Sequence, residues 1–219
     1  MGLSHSPSIV MNGLVLHVDA GNRRCYPGSG IGATGLVGSV GCTLNGGVGF
    51  SSGNLGNFIF DGSNDYLDFG NPTDVRLLNG TISIWVRSSS PGGGFRGIMA
   101  KQNAYGLFYS DGVLVTYDWG TNNTRSTGVN IADGDWKNVS MAFQSSVTNG
   151  TRIYINGSLV LSTTINWVND AINLYGGAEF SASQYAACSG SIFSLYNRVL
   201  SASEVLQNYN ATKGRFGLS

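Results

Sequence analysis

Two glutamates (Glu179 and Glu204), two histidines (His5 and His17) and three cysteines (Cys25, Cys42 and Cys188) are the side chains of this 219-residue chain with the most scope for reaction chemistry. Hydrolysis of a glycosidic bond normally uses two carboxyl groups flanking the bond, one of them kept protonated to act as acid. Glu204 follows Ser201 by three residues, the Ser-x-x-Glu spacing of a helix capping box, so it is already occupied and Glu179 stands alone. Asp61, Asp65, Asp111, Asp133 and Asp135 lie among glycines and asparagines, where aspartate is usual for its local hydrogen bonds in turns. A lone histidine on an alternating strand, as His17 is, is ordinarily structural or merely exposed. The cysteines have no Cys-x-x-Cys spacing for zinc and allow at most one internal disulfide. Gly28 to Gly35 is glycine-rich but precedes no helix and lacks the lysine of a phosphate loop. The expectation is a chain without a catalytic site.

Binding chemistry is better represented. A saccharide is held by an aromatic platform beside amide or carboxylate groups. Two places have those ingredients. Trp119, with Asp118 and Asn122, stands where a strand enters a polar loop; Tyr175, with Glu179 and Tyr185, borders the loop from Gly176 to Ser189. The competing reading of Trp119 is a core residue, because it shares a strand face with Val113 and Val115. Calcium is considered at Asp61, Asn64 and Asp65, since hard cations take oxygen ligands from loops. Their spacing fits no defined calcium loop, and turn formation is the commoner explanation, so no metal or other cofactor is assigned.

Composition narrows the partners. Charged residues make up 11% of the chain and the net charge is zero, which offers no electrostatic footprint for nucleic acid or an anionic membrane. The opening MGLSHSPSIVMNG has neither the cationic region nor the apolar core of a secretion signal, and no apolar run approaches a membrane span. The surface must be built from uncharged Ser, Thr, Asn and Gly, which suits wet contacts with carbohydrate or with neighbouring protein copies.

The elements that would position these residues are strands. Ile82, Ile84 and Val86 point one way while Thr81, Ser83, Trp85 and Arg87 point the other, and similar alternation recurs from Leu14 to Tyr196. Asn156-Gly157 supplies the positive-φ pair of a type I′ hairpin. The stretch from Ala20 to Gly56 reads as long loops with one or two short edge strands, and Gly120 to Gly128 as a loop. A single helix follows Ser201, with Val205, Leu206 and Tyr209 as its apolar stripe. Roughly eleven to thirteen strands and one short C-terminal helix predict an all-β, two-sheet antiparallel sandwich in one domain over residues 13–219. Residues 1–12 lack alternation and contain Pro7, so they read as an extended arm, with Ile9, Val10 and Met11 apolar enough to bury against a partner chain.

In their order, the pieces FDGSNDYLDFG, TISIWVR, GIMAKQNAYGL, DGDWKNVSMAF, RIYINGSLV, INLYGG and GSIFSLYNRVLSASEV resemble the concanavalin A-like lectin/glucanase superfamily in its laminin-G-like form. The opening GLVLHVDAGNRRCYPGSG and the ending NYNATKGRF are similar to variants in structural proteins of tailed phages. The resemblance implies a jelly-roll sandwich. It also implies a non-enzymatic virion structural protein, a capsid decoration or fibre-type protein on the particle surface that adheres to host-surface glycan. Its partners would be other virion proteins or copies of itself. A free carbohydrate-binding lectin domain is the alternative, and a divergent glycoside hydrolase the third. The Glu-x-Asp-x-x-Glu strand motif of the glucanases is absent. The acidic residue common after Gly-x-Ile in the superfamily is missing too, since Gly190-Ser191-Ile192 continues into Phe193-Ser194-Leu195, which counts against a rim calcium ion.

Overall fold

The structure, a computed structural model, describes residues 7–179 and 184–219. In chain order its strands are β1 (Leu14–Asp19), β2 (Gly32–Ala33), β3 (Cys42–Asn45), β4 (Gly49–Ser51), β5 (Asn57–Asp61), β6 (Tyr66–Asp68), β7 (Asn79–Arg87), β8 (Phe95–Lys101), β9 (Tyr105–Ser110), β10 (Val113–Asp118), β11 (Asn123–Asn130), β12 (Lys137–Gln144), β13 (Thr151–Ile155), β14 (Ser158–Thr163), β15 (Tyr175–Gly176) and β16 (Ala187–Tyr196). One α-helix, α1 (Ala202–Thr212), and a 3-10 turn, Lys213–Phe216, close the chain. The strands form two eight-stranded antiparallel sheets, the predicted jelly-roll sandwich. The first runs β14-β13-β12-β7-β16-β5-β4, with β1 also paired to β16; the second runs β11-β10-β9-β8-β15-β6-β3-β2.

Side-chain parity explains how the sheets stack. From β7, Ile82, Ile84 and Val86 enter the inter-sheet core, where they join Val139, Met141 and Phe143 of β12. The opposite face of β7 is covered as well. Trp85, 1% exposed, stacks on Phe216 at 4.0 Å and on Tyr209 at 5.9 Å, and its Nε1 donates to Thr212 Oγ1 at 2.9 Å. Alternation placed Trp85 on a polar face; in fact the C-terminal helix lies over that face and buries it.

The helix starts as its sequence prescribes. Glu204 N–H donates to Ser201 Oγ (3.3 Å), Ser201 N–H donates to Glu204 Oε2 (2.9 Å), and Arg198 pairs with Glu204 at 2.6 Å. That ion pair is the main reason the Glu204 carboxyl is held down at about 2. The buried face departs from the expected stripe. Val205 and Asn208 are buried while Leu206 is 44% exposed, because the helix packs on a partly polar sheet face.

That packing also corrects the reading of residues 7–12 as an arm held off the body; residues 1–6 of the expected arm lie outside the described residues. Val10 is buried beside Leu14, Tyr154, Tyr196 and Val205 of its own chain. Its N–H donates to Asn208 Oδ1 (2.8 Å) and its carbonyl accepts from the Tyr196 hydroxyl (3.0 Å). A segment with its apolar side chain and both backbone groups satisfied within the chain is part of the sandwich. Ile9 is half-buried on the same cluster, and Met11 is 58% exposed.

Two other expectations change. The stretch from Ala20 to Gly56 carries three short strands, β2 and β3 at one edge of the second sheet and β4 at one edge of the first. The supposed loop after Gly120 contains β11, an eight-residue edge strand with an almost wholly polar sequence. The hairpin at Asn156 (φ 51°) and Gly157 (φ 77°) forms as expected.

Candidate functional site

Among the described residues, the one α-helix packs on the first sheet, and the site lies on the outer face of the second. On β10, Leu114 enters the inter-sheet core, and Thr116 and Asp118 share its parity; Val115, Tyr117 and Trp119 turn outward. On β9, Tyr105, Leu107 and Tyr109 turn in, leaving Gly106 and Phe108 on the outer face. With Phe95 of β8, the outward rings make an edge-to-face cluster. Phe95 is 6.1 Å from Phe108 and 5.6 Å from Tyr117; Trp119 is 6.0 Å from Phe108 and 5.6 Å from Tyr117. Such T-shaped pairs fix ring orientation more firmly than burial alone.

These four rings line a cleft of about 310 Å³, completed by Gln102, Asn122, Glu179 and Gln184. Two glycines shape its floor. A Cβ on Gly106 would meet Ala100 Cβ at 2.8 Å and Phe108 at 3.1 Å, so glycine leaves room for the Phe108 ring over β9. A Cβ on Gly97 would meet the Ala178 carbonyl carbon at 2.3 Å. The backbone of residues 178 and 179 therefore rests directly on β8. It is held there by Gly177 N–H to Ile98 O (2.9 Å) and Gly97 N–H to Gln184 O (3.0 Å). That contact carries Glu179 into the cleft, 60 residues away from Trp119 in sequence.

Sequence reasoning named Trp119, Asn122 and Glu179 in two separate groups, and the structure brings all three into one cleft. Trp119 is half-buried, with the outer cluster of Phe108 and Val115 on one side and the main core also against it, so the core reading of its parity is partly right. Asp118 does not join them. It faces inward, almost fully buried, where Oδ2 accepts from Arg125 at 3.0 Å, so it fixes the β10–β11 turn and is not part of the cleft lining. Tyr175 and Tyr185 stand on the same outer face but outside the cleft lining. There Tyr66 packs against Tyr175 at 5.5 Å and Tyr185 at 6.2 Å. Phe95, Phe108, Tyr117, Gln102 and Gln184 were missed. Only Tyr117 was signalled, by its parity with Trp119.

Chemically, the cleft offers ring faces for the apolar face of a sugar and amides for its hydroxyls. Among the described residues, its lining holds one carboxylate and no histidine or cysteine. His17 is buried elsewhere, 2.9 Å from Ser194 Oγ, with its pKa lowered by desolvation. All three cysteines are free and buried, and burial pushes the thiols of Cys25, Cys42 and Cys188 up to about 11, 12 and 12, which suppresses the reactive thiolate. Gly49 to Gly53 spells Gly-x-Ser-x-Gly. Ser51, however, ends the edge strand β4 and its Oγ accepts from Gly53 N–H (3.1 Å) in a local turn, not on a strand-to-helix elbow. At the calcium candidate, Asp61 Oδ1 accepts from Ser63 N–H (2.7 Å) and Asp65 Oδ2 from Asp61 N–H (3.0 Å), so both carboxylates organise the turn. Among the described residues, no three His, Cys, Asp or Glu side chains gather as metal ligands, and no helix is long and apolar enough to cross a membrane.

Among solved structures, the binding domain of Paraclostridial Mosquitocidal Protein 1 is similar with a TM-score of 0.69 at 16% identity, over 91% of this chain and 52% of that one. Trypanosoma rangeli sialidase in complex with sialic acid gives 0.73 at 14%, over 97% and 36%. A structure of botulinum neurotoxin type C, whose cell entry depends on interaction with two ganglioside molecules, gives 0.70 at 13%, over 91% and 51%. The chain thus spans about half or less of each, and at these identities the likeness is one of fold. No curated protein matches the chain in sequence. A family model does match, over residues 61–206, two thirds of the chain and all of β8, β9 and β10 together with Glu179. With two antiparallel sheets and that match, the chain belongs to the concanavalin A-like lectin/glucanases superfamily.

Proposed function

We propose that this chain is a non-catalytic carbohydrate-binding sandwich, displayed on the surface of a tailed-phage particle, where it adheres to host-surface glycan. The observation that carries the binding reading is the cleft. Four aromatic rings, three side-chain amides and one carboxylate converge there on an uncovered sheet face. A single carboxylate in the lining lacks the second carboxyl group that glycoside hydrolysis requires. The neighbours lend support through what is said of them: binding domains of toxins, a neurotoxin engaging gangliosides, a sialidase holding sialic acid. The particle location rests on the resemblance of the opening and closing segments to phage structural proteins, and the uncharged polar surface suits packing beside other virion proteins or copies of itself.

A glycan array with wild type and Trp119→Ala tests the binding. Signals that vanish in the variant, with folding preserved, support it; absence of any glycan signal overturns it. Mass spectrometry of purified particles tests the location. If glycan binding holds but the protein is missing from particles, the free lectin reading replaces this one.

A further inference from the structure

Resting on the reading of the cleft as a saccharide site, we infer that its ligand is a run of several sugar units, a stretch of polysaccharide chain and not a single end group. A second aromatic cluster adjoins the cleft on the same sheet. Tyr175 of β15 stands opposite Ala100 of β8, which belongs to the outer cluster with Phe108 and Val115. On its other side Tyr175 stands opposite Asp68 of β6. Tyr66 shares the face of Asp68, because Leu67 between them enters the core. Tyr66 packs edge-on against Tyr175, with ring centres 5.5 Å apart and planes at 83°, and lies 6.2 Å from Tyr185. All three rings are half-buried, so each keeps part of its surface for a ligand. Polar groups accompany them, since Asn173 Nδ2 donates to both Asp68 carboxylate oxygens at 3.0 and 3.2 Å.

Chain continuity joins the two clusters. Gln184 lines the cleft and the next residue, Tyr185, packs near Tyr66, so the two places meet at one peptide unit. Beyond the tyrosines lies a hollow of about 510 Å³, lined among others by Thr34, Thr43 and Asp68, with Thr43 of β3 the register partner of Asp68. β10, β9, β8, β15, β6 and β3 are consecutive in the second sheet. At about 4.8 Å between neighbouring strands, that line measures about 24 Å, far more than one pyranose ring covers. Ring faces with amides come first along it, then ring faces with a carboxylate and an amide, then hydroxyls. A chain of similar units needs such a repeat, because each unit presents an apolar face and hydroxyls in turn. A lone end group seated at Trp119 would not reach the tyrosines.

The test is titration calorimetry of the full chain with oligosaccharides of graded length. β-1,4-Glucan, β-1,4-linked N-acetylglucosamine and α-mannan oligomers, each of two, four and six units, serve as probes. In a series that binds, the six-unit member should bind about tenfold tighter than the two-unit member or more, the gain from one further desolvated aromatic contact. Tyr66→Ala should erase most of that gain, whereas Trp119→Ala should weaken short and long members alike. Tyr185→Ala repeats the measurement on a second ring of the same cluster, in case replacing Tyr66 costs folding. These variants also separate true contacts from the statistical gain of a longer ligand with more binding registers. Equal binding of short and long members overturns the inference while leaving saccharide binding intact. A length gain that neither tyrosine variant reduces overturns it too, because the added units would then lie elsewhere. Failure of every oligomer to bind, together with a silent glycan array, removes the saccharide reading itself.

Discussion

Gly97→Ala is the sharpest perturbation of the site, because it touches no ligand-facing group. The added methyl would sit 2.3 Å from the Ala178 carbonyl carbon, 2.4 Å from its oxygen and 2.6 Å from Glu179 N. Ordinary carbon contacts lie near 3.5 Å or beyond, so residues 178 and 179 must retreat by about 1 Å. The obstacles are backbone atoms, not the flexible end of a side chain. They are tied to β8 through Gly177 N–H to Ile98 O and Gly97 N–H to Gln184 O, so the retreat strains or breaks those bonds. Overpacking of this kind costs about 1–3 kcal/mol. The displaced segment carries Glu179, and losing one charge-assisted hydrogen bond to a ligand should weaken glycan binding by about tenfold. Urea denaturation followed by calorimetry on the folded variant measures both. Gly214→Ala is the control, since a Cβ there meets nothing within 4 Å and the change should stay within about 0.5 kcal/mol. If Gly97→Ala matches wild type in stability and in binding, then residues 178 and 179 do not rest on β8 and the cleft has a different wall.

Three further outcomes follow from the same geometry. Trp119→Ala should reduce glycan affinity at least about tenfold while lowering stability by only about 1–2 kcal/mol, because the ring is only half-buried, shared between the outer cluster and the edge of the core; calorimetry and urea midpoints separate the two effects. Val10→Ala should cost about 2 kcal/mol, and deleting residues 1–11 more than that, since Val10 fills the pocket under α1; a truncation with an unchanged melting temperature would return this segment to the status of a detachable arm. Glu204→Gln should be less stable than wild type at pH 7 by about 1–2 kcal/mol. Its folded carboxyl is held at about 2, against 4.5 ordinarily, so that advantage exists above pH 4.5 and fades as pH falls toward 2. A gap that stays constant from pH 7 to pH 2.5 would refute the capping and ion-pair account.

The sandwich was legible because antiparallel strands write their faces into alternation, and nearly every alternating run from Leu14 to Tyr196 belongs to the observed sheets; of the run from Ile172 to Gly177 only Tyr175–Gly176 pairs, as β15. What alternation cannot say is which face meets the other sheet. On β10 both faces look burial-worthy. Val113, Val115, Tyr117 and Trp119 are the more apolar set, yet Leu114, Thr116 and Asp118 turn inward, because Thr116 Oγ1 donates to Gly106 O at 2.7 Å and Asp118 holds Arg125. Buried polar groups with such partners are tolerated, so hydrophobicity alone chose the wrong side. The same ambiguity hid Trp85, whose cover, Phe216, comes 131 positions later in the sequence. β11 was lost because an edge strand with polar side chains on both faces has no alternation to read. The site was half legible for a related reason. Residue type marked Trp119, Asn122 and Glu179 as saccharide-contacting candidates, but only the pairing of β15 with β8, and the bare backbone of Gly97 beneath Ala178, sets the glutamate beside the rings. A glycine in the middle of a strand was thus the one local sign that another stretch of backbone would lie there, and it points to the segment that completes the cleft.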